Sequence, residues 1–99
     1  MTSRLSTAAR LDFAAAFEEY ERQRKGLGAN LLDAIERTLA LLSRFPLSGR
    51  SVGRSVRIMP VGHMGHMIVY QSKPGGILVL AMSKKQRPPE YWLKRAAPK

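Results

Sequence analysis

Between residues 55 and 83 the chain sets three short apolar runs between turn formers, and this pattern restricts the region to a sheet. The runs are residues 56–61, 67–70 and 77–82, rich in Val, Ile and Leu and including Tyr70. Gly62 and Gly65 separate the first two, and Pro74, Gly75 and Gly76 separate the second from the third. Runs of this length and composition, bounded by Gly and Pro, form strands joined by hairpins. The Pro74-Gly75-Gly76 turn predicts an antiparallel hairpin, and Pro60 marks a strand end or bulge.

Two helical patterns precede the sheet. Ser6 or Thr7 suits a helix N-cap, with Asp12 placed to favour the helix dipole. Over residues 8–25, Ala9, Phe13, Phe17 (or Ala16) and Tyr20 recur at helical spacing, opposite Arg10, Glu18, Glu21, Arg22 and Lys25. Gly26, Leu27 and Gly28 break this helix. A second helix is expected over residues 29–44, with Leu31, Ile35, Leu39 and Leu42 as its stripe and Leu32, Leu41 and Phe45 broadening it. Pro46 ends it, because the residue before proline resists helical geometry. The short connection makes the pair an antiparallel hairpin. Leu5 fits a short edge strand ahead of the first helix. Gly49-Arg50-Ser51-Val52 and Gly53-Arg54-Ser55-Val56 are tandem copies too short for a solenoid repeat and read as a flexible basic loop. The last strand runs into a basic tail, in which Pro89 opens one or two helical turns.

A chain of 99 residues is expected to be one domain, residues 1–99, with helices on one side of a sheet. At 44% hydrophobic it is globular in composition. No apolar run reaches the roughly 18–20 residues that span a bilayer, and the N-terminus lacks the pattern of a secretory signal. The absence of cysteine excludes disulfides and thiolate metal sites and fits a cytoplasmic protein. The net charge is +10, unevenly placed. Residues 1–45 carry seven bases and six acids, whereas residues 46–99 carry ten bases and only Glu90, a net of +9. A cationic sheet half attracts nucleic acid, an acidic protein or an anionic membrane.

The order of these features resembles the ParE/RelE superfamily of toxins from bacterial type II toxin–antitoxin systems, closer to the ParE branch. The resemblance rests on Leu5, Ser6 and Ala9; on Asp12, Phe13 and Tyr20 in the first helix; on Gly28, Ile35 and residues 39–42; on Phe45, Pro46, Gly49 and Arg50; on Val56 and Arg57; and on residues 66–70 and 77–82. It implies an α+β fold of order β-α-α-β-β-β, a short N-terminal strand and an antiparallel helical hairpin on a curved, mainly antiparallel sheet, with a basic C-terminal tail. It also implies a cognate acidic antitoxin in a hetero-oligomer, which the cationic sheet half complements. ParE-like members inhibit DNA gyrase. RelE-like members cut mRNA on the ribosome.

RNA cleavage needs groups that move protons and cations that stabilise phosphorane charge. Arg57 stands where the family places an arginine, and Lys84, Arg87 and Tyr91 echo the nuclease cluster; no acid lies between Gly49 and Ser83. As a binding protein, the chain would use Arg50, Arg54, Arg57, Lys84, Lys85, Arg87 and Trp92 against target or antitoxin. A third reading is a non-toxic basic binding module of the same fold. Blander roles stand beside these. Arg57 alternates with Val56 and Ile58 as a solvent-facing strand residue does. Lys84, Lys85 and Arg87 can serve as a solvated end of the sheet. Tyr91 and Trp92 either stack on bases or pack the tail onto the sheet. His63 and His66 are expected on opposite faces, with no Cys or nearby acid to complete a metal site. No cofactor or metal is expected.

Overall fold

A computed structural model describes residues 2–53, 55–84 and 92–95. The order is β1 (Thr2–Leu5), α1 (Thr7–Gln23), α2 (Leu27–Arg44), β2 (Arg50–Gly53), β3 (Val56–Pro60), β4 (His66–Lys73) and β5 (Gly76–Lys84). Two helices pack on one mixed sheet of strand order β1-β5-β4-β3-β2. β1 runs parallel to β5, and every other pairing is antiparallel. The expected short strand, helical hairpin and mainly antiparallel sheet are present, with one strand more after the helices than the order β-α-α-β-β-β.

Ser6 caps α1, its Oγ accepting from the Ala9 amide at 3.1 Å. The apolar stripe is as expected: Ala9 and Ala16 are buried, with Phe13 and Tyr20 packed against them. Asp12 stands beyond the first turn and turns to the sheet edge instead of the helix dipole. The break between helices is shorter than expected, because Leu27 and Gly28 already belong to α2. Gly26 takes φ +94°, a left-handed conformation that favours glycine. Gly28 serves a different purpose. A Cβ there would lie 2.6 Å from the Phe17 ring and 2.8 Å from Glu21, so it permits close approach of the two helices. Glu21, expected on the solvated face, reaches across the turn. Its Oε1 accepts from the amides of Gly26 (3.0 Å) and Gly28 (2.8 Å) and so caps the start of α2.

Leu31, Ala34, Ile35 and Leu42 of α2 are buried. The expected broadening of this stripe is corrected: Leu32, Leu41 and Phe45 are 41%, 43% and 54% exposed. The basic repeat is also corrected. Its first copy is not a loop but the edge strand β2, paired with β3 through Arg50–Ile58 and Ser51–Arg57.

The sheet is buried on both sides. Toward the helices, Val61, Ile68, Tyr70, Ile77, Val79 and Met82 join the helical apolar stripes. On the other side, Val56, Val69, Leu80 and Ala81 pack with Trp92. Two-sided burial explains why residues 66–71 of β4 are all buried and why the sequence there does not alternate. Tyr70 pairs with Val79 while Val69 pairs with Ala81, so Leu80 is the extra residue of a bulge. The bulge lets Leu80 and Ala81 both face Trp92 and returns Met82 to the helical side.

Candidate target and partner interface

The connection from α2 to β2 is held by two side chains of the sheet. Tyr70 is fully buried, and its hydroxyl donates to the Pro46 carbonyl (2.7 Å) and accepts from the Gly49 amide (3.0 Å). Arg57, its partner across the ladder, donates through Nη1 to the carbonyls of Gly49 (2.9 Å) and Leu47 (3.2 Å). A Cβ on Gly49 would sit 2.5 Å from the Tyr70 hydroxyl and 2.8 Å from the Ile58 carbonyl, so only glycine fits. Burial pushes the Tyr70 hydroxyl above its ordinary pKa, with the Gly49 amide and the Arg57 charge opposing. Arg57 is therefore half-buried and engaged with backbone. It is neither a freely solvated strand residue nor part of an open cationic cluster.

This latch presents an apolar strip to solvent. Phe45 is 54% and Leu47 65% exposed, and Leu41 lies one helical turn before Phe45. The Arg44 guanidinium stands 5.5 Å from the Phe45 ring centroid. Beside the strip, Arg50 lines a cleft of about 460 Å³ with Ser48, Gly49, Ile58, Met59, Pro60 and Met67. Arg37 lines a second, of about 250 Å³, with Thr38, Leu41, Met59 and Pro60. The result is an apolar surface flanked by cations.

Four residues back along β4 from Tyr70, Tyr20 ties α1 to the turn between β3 and β4. Its hydroxyl donates to the Met64 carbonyl and meets His66 Nδ1 at 3.0 Å, the two rings being 5.4 Å apart. A hydroxyl has one proton, here given to Met64, so at the second contact it accepts and His66 Nδ1–H donates. Burial, with the Glu19 charge adding and the Lys84 charge opposing, raises the Tyr20 pKa. Lys84 pairs with Glu19 at 3.1 Å, both well exposed. His63 and His66 line one cleft here with Glu19, Tyr20, Gln23 and Lys84. That corrects their expected opposition: the turn, with Gly62 at φ +53° and Gly65 at φ +78°, sets both residues along one cleft. Among the described residues no group of three His, Cys, Asp or Glu could hold a metal ion.

The third device is at the open edge of β5. β1 pairs with β5 as far as Val79. Beyond it, the Leu80 carbonyl accepts from Ser6 Oγ (3.3 Å) and Arg95 Nη1 (3.2 Å), and the Met82 amide donates to Asp12 Oδ2 (3.2 Å). Arg95 also donates to Asp12 at 2.9 Å and stands 5.6 Å over the Trp92 ring. Trp92, 3% exposed, packs on the sheet and does not face a partner.

The residues expected to form a site are thus dispersed. Arg50 and Arg57 both lie near Gly49, but on opposite faces of the sheet, Arg50 being paired with Ile58 and Arg57 with Ser51. Lys84 lies on β5, about 13 Å further along the strands from the Arg57 row and two strands across. Arg54, Lys85, Arg87 and Tyr91 lie outside the described residues. Sequence reasoning picked out Tyr20 and Asp12 but not the contacts they make, and it missed the apolar strip; the signal for the strip was a second row of large apolar residues on α2 beside its core stripe.

A helical hairpin on a mixed five-stranded sheet, with the basic residues concentrated in the sheet half of the sequence, defines a small basic α+β protein. The profile of the family described as the ParE toxin of type II toxin–antitoxin system, parDE, matches residues 4–89, and the chain belongs to that family. Among solved structures, the chromosomal ParDE toxin–antitoxin system from P. aeruginosa is similar, with a TM-score of 0.74 and 17% identity over 87% of this chain and 97% of that one. At that identity the likeness shows the fold. No curated protein matches. No helix of the described residues is long and apolar enough to cross a membrane.

Proposed function

We propose that this ParE-family chain is the toxin of a toxin–antitoxin pair, acting by binding DNA gyrase in the cytoplasm, and that an acidic antitoxin neutralises it. Family membership supports the toxin role and the antitoxin partner. The observation that favours binding over cutting is the placement of Arg57. It is engaged with the Gly49 and Leu47 carbonyls, far along the sheet from Lys84, instead of lining a common cleft with it. A general acid and a phosphorane-stabilising cation must converge on one phosphate. The antitoxin is given the strip of Leu41, Phe45 and Leu47 with Arg37, Arg44 and Arg50 around it, which suits an amphipathic acidic segment.

The test is a pair of reactions with purified protein. Relaxed plasmid and gyrase report supercoiling, and ribosomes programmed with a defined mRNA report cleavage. Inhibited supercoiling with intact mRNA supports the proposal. Cut mRNA with normal supercoiling overturns it and directs mutagenesis to Arg57, Lys84, Arg87 and Tyr91.

A further inference from the structure

The acids of the described residues, Asp12, Glu18, Glu19, Glu21, Asp33 and Glu36, all lie on the two helices. The described sheet carries cations and no carboxylate of its own, and only Lys84 is balanced from a helix, by Glu19. Two of these cations converge at the end of the sheet opposite the Tyr20–His66 pair. A cleft of about 280 Å³ is lined by Arg4, Lys73, Pro74, Gly75, Gly76 and Ile77. Arg4 of β1 is exposed and Lys73 at the end of β4 is half-buried.

The register places both on the sheet side away from the helices. Arg4 pairs with Leu78, which packs in the Trp92 cluster. Leu78 also pairs with Gln71, and Lys73 lies two residues beyond Gln71, on the same face. Between them the β4–β5 turn has no bulk over it: Gly75 is at φ +83°, and a Cβ there would meet nothing within 4 Å. Backbone is therefore open to close approach by a ligand.

A guanidinium fork and an ammonium sharing a cleft without an acid repel each other and favour an anion. Their geometry suits phosphate oxygens, bidentate from Arg and point-charge from Lys. The chain's net charge of +10 adds a long-range attraction that a polymer of phosphates exploits more than a lone ion does. We propose that Arg4 and Lys73 form a phosphate subsite that takes the backbone of a nucleic acid. This goes beyond gyrase binding and does not depend on it.

The test is fluorescence anisotropy of the full chain with a short labelled DNA duplex and a single-stranded RNA of equal length, across a salt series. Affinity is expected to fall linearly with salt on logarithmic axes. The Arg4→Gln/Lys73→Gln variant is expected to bind about tenfold more weakly, with the duplex slope shallower by about 0.9 for each phosphate that is no longer neutralised. Lys73→Gln alone, at a turn, serves if the double variant melts early, and is expected to show a smaller change of the same sign. Arg22→Gln/Lys25→Gln removes equal charge near the far end of α1 and is expected to leave binding within about twofold. Four results would overturn the proposal: no binding of either nucleic acid, equal weakening by both double variants, inorganic phosphate binding alone, or polyglutamate competing as well as DNA.

Discussion

Tyr70 shows how much of this fold one hydroxyl organises. It joins the sheet to the chain leaving α2, and it makes Gly49 obligatory by occupying the space a Cβ would need. Tyr70→Phe keeps the ring but leaves the Gly49 amide and one acceptor at Pro46 without a partner in a buried place. It is expected to destabilise by about 1–3 kcal/mol in urea unfolding. A change below a few tenths would show that water replaces the hydroxyl freely. Tyr70 also gives the protein a pH dependence of definite sign. Its folded pKa is raised above 10.0, chiefly by burial. The stability it contributes is complete below the unfolded value of about 10 and is lost as pH rises through the folded value. Melting temperature is therefore expected to drop above pH ~10, and less steeply in Tyr70→Phe. Equal slopes would assign the drop to other groups, Tyr20 among them. The spacing of Pro46, Gly49 and Arg50 was legible as a motif, but its reason was not. A hydroxyl 21 residues away in sequence supplies it, and no local pattern encodes that pairing.

At the scale of elements, periodicity located both helices and the three long strands because each has an apolar face of its own. β2 escaped because its four residues, Arg50–Gly53, are mostly exposed, with only Val52 packed on the core beside the ladder to β3. Gly28 was read as a breaker because glycine disfavours helices, yet it is kept inside α2 by the Phe17 ring packed where its Cβ would be. The edge of β5 was likewise unreadable. Its polar groups are satisfied by Ser6 and Asp12 at the start of α1 and by Arg95, more than 80 residues further along the chain. That edge makes a sharp prediction. Asp12→Ala leaves the Met82 amide without its acceptor and removes the Arg95 ion pair, so the turn at residues 92–95 should loosen from the sheet. The chain has a single tryptophan, so the readout is direct. Emission from Trp92 is expected to shift to the red, and stability to fall by about 1–3 kcal/mol. Unchanged emission would mean that apolar packing alone seats Trp92, and that the ion pair, about a quarter exposed on each side, adds little.

Taken whole, the molecule separates its chemistry by face. The central strands β4 and β5 are buried on both sides, the helices hold the described acids, and most of the exposed large apolar side chains lie along α2 and its exit. Four of the five exposed large apolar residues, Leu32, Leu41, Phe45 and Leu47, are on α2 or just past it. Their exposure is a loss to the free protein that a partner recovers. The fold was legible at this scale because patterning dictates layers. The surface was less so, because Leu32, Leu41 and Phe45 read as core until the helix was placed on its sheet. The distinction gives the final prediction. Phe45→Ala/Leu47→Ala removes apolar area that the fold does not bury, so unfolding stability is expected to change by less than about 0.5 kcal/mol. Binding of a cognate acidic antitoxin, followed by calorimetry, is expected to weaken by about 2 kcal/mol or more, as loss of an aromatic anchor does. Weakening at high salt alone would instead make Arg37, Arg44 and Arg50 the anchors and the apolar strip a bystander. If the variant binds fully but unfolds early, Phe45 and Leu47 belong to the fold and the antitoxin sits elsewhere.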